Sequence, residues 1–123
     1  ISGSYQPKYL KKYSVPIFHG EFNLADWMKL DVQTKTEFPL VVTTFKVSEK
    51  AFALLVEVHI ISPRFPKGTI LIFDPCISLK NGAIVLVRQN ETTEFYLEQY
   101  NKSLNNKIVA MFVQAIHHNK FRI

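Results

Sequence analysis

Residues 51–65 read AFALLVEVHIISPRF, and residues 69–73 continue with TILIF after a loop that contains prolines and a glycine. Both runs are short and rich in β-branched and aromatic side chains, which favour strands, and the prolines and glycine between them mark a turn. The same pattern recurs further along the chain, in runs that cover residues 38–47, 83–88, 93–100 and 107–117. Many short strands separated by turn residues predict a mostly β domain, a roll or barrel-like fold with little helix.

The segment before these strands has a different character. Residues 1–14 (ISGSYQPKYLKKYS) are polar, basic and aperiodic and predict a linker or arm, so the domain itself is expected to span residues 15–123. Asn23 is a suitable N-cap for a brief helix over residues 24–28. We expect Trp27 to anchor this segment on the sheet, because a buried aromatic side chain removes a large apolar area from water.

The composition limits the classes of protein to consider. The chain has 123 residues, 47% of them hydrophobic and 20% charged, which suits one globular domain. Its net charge of +5 permits contact with nucleic acid, but the basic residues are scattered and predict a solvated surface. The single cysteine, Cys76, cannot build a disulfide framework, so a cytoplasmic location is expected, with Cys76 as a buried, inert thiol. No apolar run reaches the length of about 18–20 residues that spans a membrane.

No cofactor or metal is expected from the motifs. His117 and His118 are adjacent but lack a third ligand at a suitable spacing, and neighbouring residues of a strand point to opposite faces. Residues 5–13 interleave tyrosines with lysines, which is a pattern that can contact phosphates, although a solvated linker is the simpler interpretation.

Several residues of the apolar runs stand in an order that resembles a known family, the C-terminal domains of LexA, UmuD and lambdoid phage repressors. Those domains carry the run F-A-L-x-V-x-G-D-S-M-x-P-x-F, then G-D-x-(apolar)3-D and later N-G-D-(apolar)4-R. The matching positions here are Phe52, Ala53, Leu54, Val56, Pro63, Phe65, Gly68, Asp74, Asn81, Gly82 and Arg88. Residues 15–17 (VPI) are similar to the entry that these domains carry before their cleavage loop. The resemblance covers roughly residues 15–117 and implies a LexA/signal-peptidase-like β roll.

The resemblance also implies a reaction. In that family a serine attacks the chain's own upstream loop, and a neutral lysine, whose pKa is lowered by desolvation, acts as the base. The serine position falls on Ile60, which has no hydroxyl, and the lysine position falls on Glu98. The small Ala-Gly cleavage pair is also missing, since residues 23–26 read NLAD. We therefore expect a degenerate dyad and a chain that is not an enzyme.

These features predict the dimerisation or cooperativity domain of a LexA-like or phage-type transcriptional repressor. Dimers suit such proteins because operator half-sites are related by two-fold symmetry. The chain begins with Ile1, so DNA-binding helices are expected on an upstream domain, and an antirepressor protein is a further expected partner. The resemblance places the dimer face on a late strand, where Phe112, Gln114 and Ile116 are expected to present one side to the second copy.

Two other functions remain open. Ser62 lies two residues beyond Ile60 and shares its face in an extended strand, so a relocated dyad would make the chain a self-cleaving serine peptidase. Against this, Pro63 follows directly and no lysine lies within residues 95–100. Alternatively, the chain is a standalone basic β-barrel that binds nucleic acid directly, and its affinity would then fall steeply with salt.

Overall fold

Both faces of the main β-sheet are covered, which explains why its strands read as nearly continuous apolar runs. The structure is a computed structural model that describes residues 11–19, 23–89 and 95–117. Its elements are β1 (Tyr13–Pro16), α1 (Leu24–Lys29), α2 (Val32–Lys35), β2 (Leu40–Thr43), β3 (Phe52–Leu55), β4 (Ile70–Asp74), β5 (Ile84–Arg88), β6 (Phe95–Gln99), a 3₁₀ turn (Lys102–Leu104) and β7 (Ile108–Ile116). The main sheet has the order β3-β4-β7-β5-β6, and β1 and β2 form a separate pair. Every strand pair is antiparallel.

The mostly β prediction is confirmed. The described residues contain seven strands and only two short helices, and their strands form two separate sheets rather than a closed barrel. The β1–β2 pair lies against the main sheet, with Val15 and Val41 packed in the same hydrophobic cluster as Ala53 and Ile72. Strand β1 begins at Tyr13, inside the segment that the sequence assigns to the arm.

Helix α1 covers the first face of the main sheet. Its Leu24 and Trp27 share a hydrophobic cluster with Phe52 of β3, Phe73 of β4 and Leu86 of β5. Trp27 is completely buried, as the sequence predicts for an anchor. Removing a buried tryptophan side chain typically costs about 3–5 kcal/mol, so this contact is a major part of what holds α1 in place.

The chain reaches that face by passing around the edge of β3. Ile17 bridges to Ala53 and belongs to the cluster on the second face, whereas Phe18 belongs to the cluster under α1. The backbone N–H of Phe18 donates to the carbonyl of Ala53 at 2.8 Å, which fixes the crossing point.

Side-chain caps define the starts of both helices. The predicted cap Asn23 is confirmed, since its Oδ1 accepts from the backbone N–H of Asp26 at 2.8 Å. Asp31 caps α2 in the same way, accepting from the N–H of Thr34 at 2.7 Å. Hydrogen bonds from the backbone and the side chain of Thr34 lower the pKa of Asp31. The sequence did not predict α2.

Two predicted strands are shorter in the structure. The run 38–47 forms a strand only over Leu40–Thr43, because Pro39 precedes it and the chain bends after Thr43. The run 51–60 ends as a strand at Leu55 and continues as a turn. This second difference decides the shape of the candidate site.

Candidate functional site

A tight turn follows β3 and places the four residues that align with the family's G-D-S-M run. The carbonyl of Leu55 accepts hydrogen bonds from the backbone N–H groups of Val58 and His59, at 3.2 and 2.8 Å. Glu57 adopts a left-handed conformation with φ of 72°, and its N–H donates to the carbonyl of Ile60 at 2.7 Å. A residue other than glycine in this region carries backbone strain. The turn therefore has a defined shape that fixes the direction of the residues after it.

Ile60 points into the domain. It is 4% exposed and belongs to the cluster that contains Leu24 and Trp27 of α1. Two of the other aligned residues, Val58 and Ile61, are 66% and 75% exposed. The position that the resemblance assigns to a nucleophile is thus an apolar contact beneath α1.

His59 adds a polar contact to this turn. Its Nδ1 accepts a 3.0 Å hydrogen bond from the backbone N–H of Leu55, and its ring meets that of Phe18 edge to face at 4.9 Å. Phe18 in turn packs edge to face on Trp27 at 5.6 Å. Burial lowers the pKa of His59, and the nearby His19 lowers it further. The neutral imidazole is therefore the form that the turn favours.

Ser62 is buried, at 4% exposed, and its Oγ accepts from the backbone N–H of Arg64 at 3.2 Å. This local bond stabilises the loop after β3. Among the described residues, no lysine or histidine forms a hydrogen bond with the Ser62 hydroxyl. A relocated dyad on Ser62 stays a prediction without a visible base.

Glu98, the residue aligned with the lysine base, is exposed on β6, and its Oε1 accepts from the backbone N–H of Gln99 at 3.1 Å. On the same strand, Phe95 and Leu97 pack against the cluster that contains Ile60, while Tyr96 packs against the other face. Because side chains alternate along a strand, Glu98 lies on the face opposite to Leu97. The residues of β6 that face the Ile60 cluster are therefore the apolar Phe95 and Leu97.

The three residues expected at a dimer face do not pack on one side of β7 within the domain, and their role in a dimer stays a prediction. A bulge pairs Ile72 with Gln114 but Phe73 with Phe112, so one extra residue separates the two pairs. Phe112 packs on the first face, against Phe73 at 6.0 Å. Ile116 packs on the second face, and Gln114 accepts from the Thr43 hydroxyl at 2.6 Å. The dimer contact itself stays a prediction.

The other candidates from the sequence lie at the surface or outside the described residues. Cys76 is exposed rather than buried, because it follows β4 in a turn at the surface. In the described ranges, no three side chains of His, Cys, Asp or Glu form a group that could hold a metal ion. His117 is exposed, and His118 lies outside the described residues, as does most of the basic arm. None of the helices in the described part of the chain has the length and hydropathy to cross a membrane.

Sequence reasoning missed one residue with an unusual environment. Lys35, on α2, is only 3% exposed. A lysine between polar neighbours gives no pattern that distinguishes it from a solvated residue, so its burial could not be expected from the sequence.

Comparison with known proteins identifies a family. A family model described as Peptidase S24-like matches residues 16–112, which is most of the chain. No curated protein matches. The matched range includes every element from α1 to β6 and the part of β7 that pairs with β5.

Proposed function

Because the chain belongs to the Peptidase S24-like family, we propose that it is an association domain of a LexA-like or phage-type repressor that does not cleave itself. The family contains the C-terminal domains of LexA, UmuD and phage repressors, and its fold is serine peptidase-like. Some of its members are repressors and others are peptidases. The distinction between these two activities rests on the residues around Ile60.

The observation that carries the proposal is the burial of Ile60. An attacking group must be a nucleophile within hydrogen-bond reach of its base. Ile60 offers only methyl and methylene groups to the cluster beneath α1. Leu97 of β6 packs against the same cluster and is equally apolar. Apolar side chains that share a cluster gain from exclusion of water, whereas a serine–lysine pair in the same cluster would need its own hydrogen bonds.

The packing of α1 supports the same conclusion. A self-cleaving chain must present an extended peptide bond to its nucleophile. Here the segment upstream of the turn forms a capped helix whose Trp27 is completely buried. In this segment the carbonyls of Asn23 and Trp27 accept hydrogen bonds from the backbone N–H groups of Trp27 and Leu30, at 2.9 and 3.1 Å, so the segment is held as a structural element rather than as an extended substrate.

The dimerisation role follows from the symmetry of operators. Joining two DNA-binding domains raises their effective concentration at paired half-sites. In this proposal an upstream domain contacts DNA, the present domain forms the homodimer, and an antirepressor protein releases it. Such a protein acts where the DNA is, in the cytoplasm.

The absence of self-cleavage is tested by prolonged incubation of the protein between pH 7 and pH 10, with the products separated by gel electrophoresis and weighed by mass spectrometry. Alkaline pH supplies the neutral lysine that a serine–lysine dyad needs. We expect one intact species. The matched variant is Ser62→Ala, and fragments that form in the wild type but vanish in this variant would establish the peptidase alternative.

The association is tested by sedimentation equilibrium over a wide range of protein concentrations. We expect a reversible dimer that Ile116→Glu weakens by at least about tenfold. The control Val58→Glu introduces the same charge at a side chain that is already 66% exposed, and should leave the equilibrium unchanged. If the circular dichroism spectrum shows that Ile116→Glu disturbs the fold, the monomer–dimer equilibrium of the wild type alone tests the proposal. A monomer at every concentration would refute the proposal.

A further inference from the structure

The strongest feature outside the turn after β3 is the outer edge of β2. In the described part of the chain this strand pairs only with β1, so its other side has no neighbouring strand. Natural proteins usually protect such an edge with a charged side chain, a proline or a bulge. Strand β2 reads LVVT and pairs with β1 over consecutive residues without a bulge, so it carries none of these devices. The edge is therefore open to another extended chain.

The hydrogen-bond pattern shows which backbone groups lie at this edge. The N–H of Ile17 donates to the carbonyl of Pro39 at 2.8 Å, across the β1–β2 pair. Alternate residues of an antiparallel strand direct their N–H and C=O groups to opposite sides, so Val41 directs its groups toward β1, on the side of the Pro39 carbonyl. Leu40 and Val42 then direct theirs away from β1, and no other described element forms a hydrogen bond with them. The edge thus presents the donor and the acceptor of each of these two residues.

The side chains at the same two residues are apolar and exposed. Leu40 is 43% exposed and Val42 is 51% exposed. Because side chains alternate along a strand, these two share one face, whereas Val41 packs on the opposite face in a cluster with Val15 and Ala53. A strand added at this edge would cover part of the exposed apolar surface and gain from the exclusion of water.

We propose that the β2 edge pairs with the β2 edge of a second copy of this chain, antiparallel and about a two-fold axis that passes beside Val41. In this register Leu40 lies opposite Val42 of the second copy, and Val42 lies opposite Leu40 of the second copy. Each of these pairs exchanges two hydrogen bonds, because the backbone groups of both residues point outward. The β1–β2 pairs of the two copies then form one four-stranded sheet, and the contact closes at two copies.

A second copy fits this edge in its side chains and in its charge. The opposed residues are apolar on both copies, and apolar cross-strand pairs stabilise a sheet. Antiparallel pairing also brings the end of β2 that leads to Lys46 toward the end of the second copy's β2 that follows Glu37. Both of these side chains are exposed, and their charges are opposite. The contact goes beyond the proposed function, since it joins copies through β2 and not through Ile116.

Disulfide trapping tests this register. In a background without the native thiol, Cys76→Ser, each chain receives a single cysteine, Leu40→Cys or Val42→Cys, and an equimolar mixture of the two variants is oxidised. The Cα atoms of a hydrogen-bonded antiparallel pair lie about 5.5 Å apart, within the disulfide range of roughly 4.4–6.8 Å. We expect mass spectrometry to show at least about tenfold more of the mixed disulfide than of either homodimer, because only unlike cysteines are opposed. All three products form in one sample, so the ratio carries its own reference.

Two controls complete the test. Val58→Cys and Ile61→Cys, at side chains that are 66% and 75% exposed, should give only a statistical mixture of disulfides. Adding Val42→Lys to the Leu40→Cys chain and Leu40→Lys to the Val42→Cys chain places like charges opposite each other and should remove the excess of mixed disulfide. A statistical mixture from Leu40→Cys and Val42→Cys, or no disulfide dimer at any protein concentration, would overturn the edge contact. If the wild type still sediments as a dimer in that case, the association under the proposed function stands without it.

Discussion

Asp74 binds Ser48 through two hydrogen bonds. Its Oδ2 accepts from the Ser48 backbone N–H and its Oδ1 accepts from the Ser48 hydroxyl, both at 2.7 Å. Oδ1 also accepts from the N–H of Cys76 at 2.9 Å. Asp74 is 1% exposed at the end of β4, and Ser48 lies in the loop before β3. One buried carboxylate therefore joins two loops at the edge of the sheet.

Replacing this carboxylate should destabilise the domain. Asp74→Asn exchanges one acceptor oxygen for a donor that would face an N–H or O–H group, and we expect a loss of about 2–3 kcal/mol in the free energy of unfolding. Ser48→Ala removes only the hydroxyl and should cost about 1 kcal/mol. Urea unfolding of both variants and of the double variant measures their coupling. Strictly additive losses would show that the contact contributes nothing.

The free energy of unfolding should depend on pH through the protonation of His59. Its folded pKa lies below the ordinary 6.5 because of burial and the nearby His19. Above pH 6.5 the imidazole is neutral in both states and costs nothing. As the pH falls below 6.5, the unfolded chain binds a proton that the folded chain does not, so stability decreases until the lowered pKa is passed. Protonation of Nδ1 would also break its hydrogen bond with the Leu55 N–H.

The matched variant for this prediction is His59→Asn, whose side-chain oxygen can accept from the same N–H without titrating in this range. Urea unfolding at pH 8, 7, 6 and 5 should show that wild type loses stability relative to the variant below pH 6.5. Parallel curves for the two proteins would contradict the assigned role of His59.

Lys35→Met should stabilise the domain at neutral pH. Burial and the charge of Lys50 lower the pKa of Lys35 from its ordinary 10.5. Below pH 10.5 the folded state therefore bears the cost of a desolvated ammonium, and above it the cost disappears. Met removes the charge but also its contact with the Trp27 ring, so we expect a net gain of about 1 kcal/mol. Lys46→Met, at an exposed position, should change stability by less than about 0.5 kcal/mol.

The sequence could predict the sheet because β-branched and aromatic runs with turn residues between them depend mainly on local pattern. The cap at Asn23 and the anchor at Trp27 could be predicted for the same reason. The turn after Leu55 could not be predicted, since Glu57 occupies a left-handed conformation that its residue type does not indicate. The bulge in β7 is set by pairing with β4, and it moved Phe112 to the face opposite Ile116.

The candidate site could likewise be predicted only in part from the sequence. Alignment could place the nucleophile position on Ile60, but only the structure assigns faces to β6, where Leu97 and not Glu98 is directed toward the Ile60 cluster. The burial of Lys35 depends on how α2 meets the β1–β2 pair, which is a tertiary contact without a sequence signature.

Gly68 should resist substitution even though space surrounds it. Its φ is +90°, and an added Cβ would meet no atom within 4 Å, so the cost of Gly68→Ala comes from the backbone alone. We expect a loss of about 1–2 kcal/mol by urea unfolding. Gly68→Asn should lose less, since asparagine tolerates positive φ better than alanine. An alanine variant as stable as wild type would show that this loop relaxes to another conformation.

Ile60→Ser should restore a hydroxyl without restoring a reaction. The variant loses apolar contacts with the cluster beneath α1 and buries a polar group, so we expect the free energy of unfolding to fall by about 3 kcal/mol. Ile60→Val, which removes one methylene group, should cost about 1 kcal/mol and separates the packing term from the polar term. At alkaline pH the serine variant should stay intact over the same incubation as wild type, because Glu98, at the position expected for the base, is exposed and offers no amine to accept the proton from the hydroxyl. Two fragments from Ile60→Ser, absent from Ile60→Val, would mean that a base survives near this turn and that only the nucleophile was lost.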